Sequence, residues 1–474
     1  MGTVSVTPAP LRPSPGEELL QRFDLAGPRY TSYPTADRFV DAFDAAQYRQ
    51  ALTLRQHGGS GAAGSAAPLS VYVHLPFCES VCYYCACNKV ITRDHGRSAP
   101  YLEALGTEIG LHVRVLGRGQ PLAQLHLGGG TPTFLSDGEL ARLMAMLRGA
   151  FAFTPEAECS IEVDPRTVDA ARLGHLRALG FNRISFGVQD FDPQVQQAVH
   201  RIQPREQVAA LIDAARALRF DSINVDLIHG LPRQSAVSLA RTVEQVAALR
   251  PDRVALYAYA HLPQRFKPQR RIHADDLPAP AERIAMLANA IAGFLGAGYE
   301  HIGMDHFALP GDALAVAKRQ GRLHRNFQGY STQPDCDLIG LGVSAIGRVG
   351  ATYSQNAKTL PEYYDALQAG DFAVVRGLAL SRDDLVRRAV IMALMCQGHV
   401  LFESIELAHL IDFRRHFAAE LEQLVPLAEQ GLLTVDDEGI ELTPLGWYFV
   451  RAIAMLFDRH LQSDRARERY SRVI

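Results

Sequence analysis

Between residues 69 and 259 short apolar runs alternate with longer amphipathic stretches, and the alternation repeats six times. The runs at 71–75, 124–127, 159–163, 183–188, 222–228 and 253–259 predict strands. The stretches between them predict helices with readable ends. Ser136 and Glu139 form an S-x-x-E capping box, Gly180 follows a periodic run at 168–179, and Asp192-Pro193 opens another helix. Six strand–helix units imply parallel strands joined by right-handed crossovers, an α/β fold of the partial (β/α)6 barrel type. Such folds keep their chemistry at the C-terminal ends of the strands. Polar residues gather there: residues 128–131 after the second strand, Glu162 and Asp164 at the third, Gln189 and Asp190 at the fourth, Asp226 at the fifth and Tyr259 at the sixth. Any one of them reads as a cap or loop residue; their recurrence at one rim marks a site.

The flanks read differently. Residues 57–67, HGGSGAAGSAA, predict a flexible loop, and the prolines at 8, 10, 13 and 15 stand where a secretory signal would need its apolar run. A cytoplasmic lead-in is expected. At the other end, helices at 382–396 and 414–430, a hairpin from 432–435 and 440–443 around a turn at 436–439, and a helix from Trp447 predict a mainly helical, winged-helix-like module. The expected organisation is an N-terminal arm and loop over 1–68, a barrel domain with its extension over 69–375, and a C-terminal module over 376–474.

Composition narrows the function. A chain of 474 residues is too long for one compact core, and 47% hydrophobic with 21% charged residues excludes wholesale disorder. The longest apolar stretch, 284–299, is interrupted by Asn289, Gly293, Gly296 and Gly298 and is too short to span a membrane. A net charge of -3 supplies no global field for nucleic acid, and residues 411–474 carry 8 Lys/Arg against 11 Asp/Glu, so DNA binding by the winged module is not expected. Only Lys89, Lys267, Lys318 and Lys358 are lysines; the arginine excess fits base composition better than a set of anion clamps.

The cysteines change the picture most. Cys78, Cys82, Cys85 and Cys87 fall in VYVHLPFCESVCYYCACNK, a strand followed by C-x3-C-x2-C-x-C, while Cys159, Cys336 and Cys396 are scattered. An odd total argues against a disulfide framework and for a metal or redox site. Three thiolates on one short loop suit three corners of a cubic iron–sulfur cluster. A structural zinc with Cys87 as fourth ligand, and a four-cysteine electron-transfer cluster, both fit the residues, although the spacing suits neither well.

At C-x3-C-x2-C after the first strand, with Gly128-Gly129-Gly130-Thr131 following the second, the chain resembles the radical S-adenosylmethionine enzymes. Within them it is most similar to the oxygen-independent coproporphyrinogen III oxidase family. GPRYTSYPTA from Gly27, LGGGTPTFL from Leu127, IEVDPR from Ile161, SFGVQDF from Ser185, HRIQP from His200, NVDLIHGLP from Asn224, YAYAHLP from Tyr257, GMDHFALP from Gly303, HRNFQGYSTQ from His324 and GVSAIG from Gly342 carry the likeness.

The resemblance implies an oxidoreductase that decarboxylates two propionates of coproporphyrinogen III to vinyl groups without oxygen, giving protoporphyrinogen IX for haem synthesis. It implies a 4Fe-4S cluster on Cys78, Cys82 and Cys85 and two molecules of S-adenosylmethionine. The cluster-bound molecule would meet Tyr72, Gly129 and Glu162. The second would meet Tyr84, Gly130, Thr131, Gln189, Arg201, Asp226, Ala260 and Ile346. Tyr84 departs from the family, where Phe is common. Cys87 would be a site thiol rather than a ligand, and Tyr30 and Tyr33 would help close the site over the substrate, with Arg29 pairing its carboxylates. A monomer served by a reductant protein, with no nucleic-acid or membrane partner, is expected. The rival reading is a haem-binding chaperone of the same superfamily, whose members lack the extra cysteine and the GPRYTSYPTA arm.

Overall fold

The computed structural model describes residues 15–57, 67–333 and 335–462. All six predicted strands form, as Leu69–Leu75, Gln120–Gly129, Phe151–Val163, Arg183–Gln189, Ser222–His229 and Arg253–Ala258. Each pairs in parallel with the next in chain order. Their C-terminal ends therefore open at one rim. The capping box forms as read: the Ser136 side chain accepts from the Glu139 backbone at the head of the helix Asp137–Ala150. Asp192 caps Pro193–Ala198, and Gly180 takes a φ of +95°, a conformation that favours glycine.

The sheet is larger than the repeat that announced it. Asp337–Leu341 lies parallel on the free side of the first strand, and Ile346–Val349, Thr352–Asn356 and Val374–Ala379 continue the sheet antiparallel. Beyond the sixth strand His306–Ala308 and then Glu300–Gly303 add an antiparallel edge. The twelve strands run between two distinct edge strands and do not close, so the barrel is partial. The last of these strands runs across residue 375, where the barrel was expected to end.

Among the described residues two large apolar cores hold the molecule, beside a small third cluster around Val195, Leu231 and Ile272. The first lies between sheet and helices and includes Val71, Val73, Leu75, Leu125, Leu127, Ile161, Phe186, Val225 and Leu256, together with Tyr48 and Leu52 from the arm helix Ala45–Gln56. The second joins Leu20, Phe23, Tyr30 and Tyr33 of the arm to Val390, Leu394, Phe413, Phe417, Leu424, Phe449 and Phe457 of the C-terminal module. Truncating a fully buried Leu in either core to Ala costs about 2–5 kcal/mol. The arm is thus divided between both cores, and residues 58–66 of the expected flexible loop lie outside the described residues.

The winged-helix-like module is present: helices Arg382–Gln397, Phe402–His409 and Ala418–Glu429, and a hairpin of Leu433–Val435 with Gly439–Leu442 extended by His399–Leu401. The helix expected over 414–430 is broken at Phe417, which leaves helical geometry and is fully buried beside Phe413 and Phe457, at centroid distances of 4.8 and 5.4 Å. The helix expected from Trp447 begins as a 3-10 turn at Gly446–Phe449. Gly446 packs so close to the Leu432 carbonyl that any side chain there would collide with it.

Candidate active site

The first strand delivers the chain to the rim, where residues 78–87 wrap one side of a cavity of about 450 Å³. Cys78, Cys82 and Cys85 all line it, and so does Cys87, which is exposed to the cavity rather than packed as a small core residue. The glycine segment after the second strand is threaded under this loop. Gly130 N–H donates to the Leu75 carbonyl at 2.8 Å, and Thr131 N–H donates to that of Phe77 at 2.8 Å. A Cβ on Gly130 would stand 2.7 Å from the Pro76 and Phe77 backbone; one on Gly129, at φ +117°, would stand 2.7 Å from the His74 ring. Only glycine allows this approach. Lys89 Nζ donates to the carbonyl of Cys85 at 2.9 Å, and Gln269 donates to that of Tyr84 at 2.9 Å, fixing the far side of the loop.

Across the cavity lie charges of both signs. Glu162, ending the third strand, pairs with His126 Nε2 at 3.2 Å and accepts from Gly129 N–H at 3.2 Å. Burial works against its charge, but these contacts prevail and hold its pKa below the usual carboxylate range. Asp164 accepts from Arg166 Nη2 at 2.7 Å and Arg201 Nη1 at 3.1 Å. Arg201 also reaches the Gly187 carbonyl at 2.5 Å and Cys82 Sγ at 3.5 Å, and against the cost of burial Tyr84 and Asp164 hold its pKa above the ordinary value. Asp226, on the fifth strand, accepts from Ser185 and Asn224 at 2.9 Å each. Burial, aided by the Glu162 charge, pushes its pKa up to about 6. One cavity therefore holds a low-pKa carboxylate, a permanently charged guanidinium and a carboxyl poised to titrate.

The residues fit the group that the cysteine spacing suggests. Three thiols face one cavity, yet among the described residues no set of three or more His, Cys, Asp or Glu converges as a single-ion site. The C-x3-C-x2-C spacing on one loop suits three corners of a multi-iron cluster better than one zinc. Arg201 Nε is buried without a hydrogen-bond partner among the described residues. An orphaned donor beside a glycine cradle is the chemistry of a site shaped for an anionic group such as a carboxylate.

Comparison with known proteins decides the family. The profile of the radical SAM superfamily matches residues 72–246, and that of the HemN C-terminal domain matches residues 380–449. The oxygen-independent coproporphyrinogen III oxidase of Pseudomonas aeruginosa is 51% identical over 459 residues, covering 96% of this chain and 98% of the relative. That of Escherichia coli is 47% identical over 456 residues with the same coverage. The solved structure of the Escherichia coli coproporphyrinogen III oxidase HemN, described as a radical SAM enzyme, matches with a TM-score of 0.86 at 46% identity, covering 92% of this chain and 100% of that one. The chain belongs to the oxygen-independent coproporphyrinogen III oxidase family. It is a radical SAM oxidoreductase whose cofactors are a 4Fe-4S cluster and S-adenosylmethionine. The haem-chaperone alternative is not favoured, because the matches that span the chain are to oxidases.

Of the residues expected at the site, the cavity brings together Cys78, Cys82, Cys85, Cys87, Tyr84, Gly129, Gly130, Thr131, Glu162, Gln189, Arg201 and Asp226. Tyr72 lies behind the wall, stacked on His126 at 5.8 Å. Ala260 is also set back, its carbonyl sharing Gln269 with that of Tyr84. Ile346 begins the strand Ile346–Val349 and does not line the cavity.

Tyr30 and Tyr33 do not reach the site either. Both are fully buried in the second core; the Tyr30 hydroxyl donates to Asp458 at 3.0 Å, and the Tyr33 ring packs near His460. Their large apolar surface is satisfied by the C-terminal module, so the expectation that they close the cavity is not met here. Arg29 pairs with Asp305 and lies over the Tyr257 ring at 5.0 Å; Tyr257 itself is cavity wall. Sequence reasoning missed the Asp164–Arg166–Arg201 cluster and the Ser185–Asn224 support of Asp226. A signal was available for the second: Asn224 and Asp226 share one face of a strand, and Ser185 is in register with Asn224.

Proposed function

We propose that the chain catalyses the anaerobic oxidative decarboxylation of coproporphyrinogen III to protoporphyrinogen IX, turning two propionate side chains into vinyl groups. The observation that carries this reading is the single cavity in which the three loop thiols face Glu162 and the Arg201–Asp164 pair. When bound, the reduced cluster and S-adenosylmethionine supply a 5′-deoxyadenosyl radical, which a propionate C–H bond requires because it offers no useful acidity to a base.

The chain's own residues bind and orient. Cys78, Cys82 and Cys85 hold three corners of the cluster, and Cys87 contributes a thiol beside it without ligating. Glu162, kept ionised, accepts from the amino group of the cluster-bound S-adenosylmethionine, which Gly129 admits by having no side chain and Tyr72 supports by bracing His126. A second molecule takes its carboxylate to Arg201, whose planar fork suits it, between Tyr84, Gly130, Thr131, Gln189 and Asp226. Asp164 orients Arg201. Ala260 and Ile346 support the site from behind through backbone and packing. The enzyme works as a monomer and takes electrons singly from a reductant protein.

The test is anaerobic incubation of the cluster-reconstituted chain with coproporphyrinogen III, S-adenosylmethionine and a reductant. Protoporphyrinogen IX is the expected product. An intact, reducible cluster that yields none would sink the reading and revive the haem-binding chaperone.

A further inference from the structure

The outer face of the cysteine loop, turned away from the cavity, is unusually cationic for a chain of net charge -3. Residues 264–273 read QRFKPQRRIH, four cations and no acid. Within them the 3-10 turn Lys267–Arg271 is pinned to the loop by one inward residue, the buried Gln269, which bonds the carbonyls of Tyr84 and Ala260. Lys267, Arg270 and Arg271 point outward and are exposed, and among the described residues none of them pairs with a carboxylate. Arg271 donates to the Tyr83 hydroxyl at 3.2 Å and lies over its ring at 5.1 Å; Tyr83 in turn stacks on His200 at 5.1 Å and 8°. Beyond the loop Lys358 adds its charge, and its carbonyl is bound by Asn88 of the loop. Three of the chain's four lysines, Lys89, Lys267 and Lys358, thus flank the cysteine loop.

The nearby acids do not cancel this field. Asp276 is paired with Arg233, and Glu79 lines the cavity, leaving Asp275 at the margin. Tyr83, Lys267, Arg270 and Arg271 do not line the cavity, so the collar does not face the substrate's path. It lies against the back of the cysteine loop, where Tyr83 is bonded directly to Cys82.

We propose that this collar is the docking surface of the electron donor, a small acidic protein that carries one electron at a time. The proposal rests on the reading of Cys78, Cys82 and Cys85 as cluster ligands. In the step concerned, a flavin hydroquinone of the donor loses one electron to become its semiquinone, with a proton released to water. The cluster gains that electron, passing from its 2+ to its 1+ state. Complementary charge speeds such encounters by about 10- to 1000-fold at low salt.

The test uses the reconstituted holoenzyme and, as probe, an acidic flavodoxin in its hydroquinone state. Cluster reduction is followed by bleaching and by the electron paramagnetic resonance of the reduced cluster, so it is read independently of porphyrinogen turnover. The triple variant Lys267→Glu, Arg270→Glu, Arg271→Glu should lose 10- to 100-fold in second-order rate and most of its salt dependence. Its reduction by photogenerated deazaflavin radical should match the wild type, and Arg271→Lys should keep the flavodoxin rate. Equal flavodoxin rates in the triple variant and wild type would overturn the proposal. So would an equal loss with both reductants, or a raised KM for coproporphyrinogen III at an unchanged flavodoxin rate, which would make the collar a substrate guide.

Discussion

The cavity and the seam between the arm and the C-terminal module are both enclosed, but they use burial for opposite ends. In the seam, aromatic rings fill space: Phe23 lies 4.7 Å from Phe449, and Tyr30, Tyr33, Phe413 and Phe417 are fully buried. Its main polar ties are to the chain itself, as where Arg451 Nε donates to the Pro28 carbonyl at 2.7 Å. In the cavity, space is kept open by glycines, and buried charge is kept beside it, as at Arg201, whose Nε has no hydrogen-bond partner among the described residues. The first arrangement gains stability. The second forgoes it for a ligand, as sites generally do.

The largest effects should separate these regions cleanly. Replacing Cys78, Cys82 or Cys85 by Ala should abolish turnover and iron and sulfide content while leaving the denaturant midpoint near the wild type; retention of a full cluster in any one would break the assignment. In the seam, Tyr30→Ala should lose about 3–5 kcal/mol of stability with the cluster retained. Wild-type stability with turnover lost would instead return Tyr30 to the substrate. Arg201→Lys keeps the charge but not the planar fork, and should reduce turnover by roughly 100-fold with the cluster's absorbance unchanged.

A third buried polar group sharpens the contrast. Glu108 is fully enclosed and fully supplied, accepting from Tyr363 Oη, Gly342 N–H and Asn356 Nδ2, all at 2.7 Å. Burial nonetheless pushes its pKa up to about 7. A carboxyl whose pKa is raised in the folded state binds more protons there than when unfolded, so stability falls as pH rises from about 4.5 to about 7. The loss is on the order of 3 kcal/mol. Glu108→Gln should flatten that slope in urea titrations at several pH values; an unchanged slope would show the group is ionised throughout. The smallest expected effect is at Cys87: Cys87→Ser should keep the cluster's absorbance and lower turnover, and loss of the cluster would make it a ligand.

What was legible in the sequence was local. The six parallel strands announced themselves because each carries recurrent buried apolar positions and is followed by its own helix, and the loop thiols because their spacing is short. The four strands between 337 and 379 carry no such helix rhythm, and their pairing is set by neighbours far away in the chain. Phe417 belongs to an apolar helical pattern, and only its packing against Phe457 shows why the helix breaks there. At the site, Glu162 and Asp226 could be read from strand ends. The Asp164–Arg201 pair could not, since nothing in the sequence tells which charges meet across a cavity. The arm misled for the same reason: tyrosines next to an arginine suit a binding surface and a buried seam equally well.

The seam also sets an order of events in the life of the chain. Tyr30 and Asp458 are 428 positions apart. At roughly 5–20 residues per second of synthesis, about 20–90 s separate their emergence from the ribosome. Throughout that interval the arm has no C-terminal module to grip, while the cysteine loop is among the first parts made. Delivery of iron and sulfide can therefore precede the clasping of the two ends.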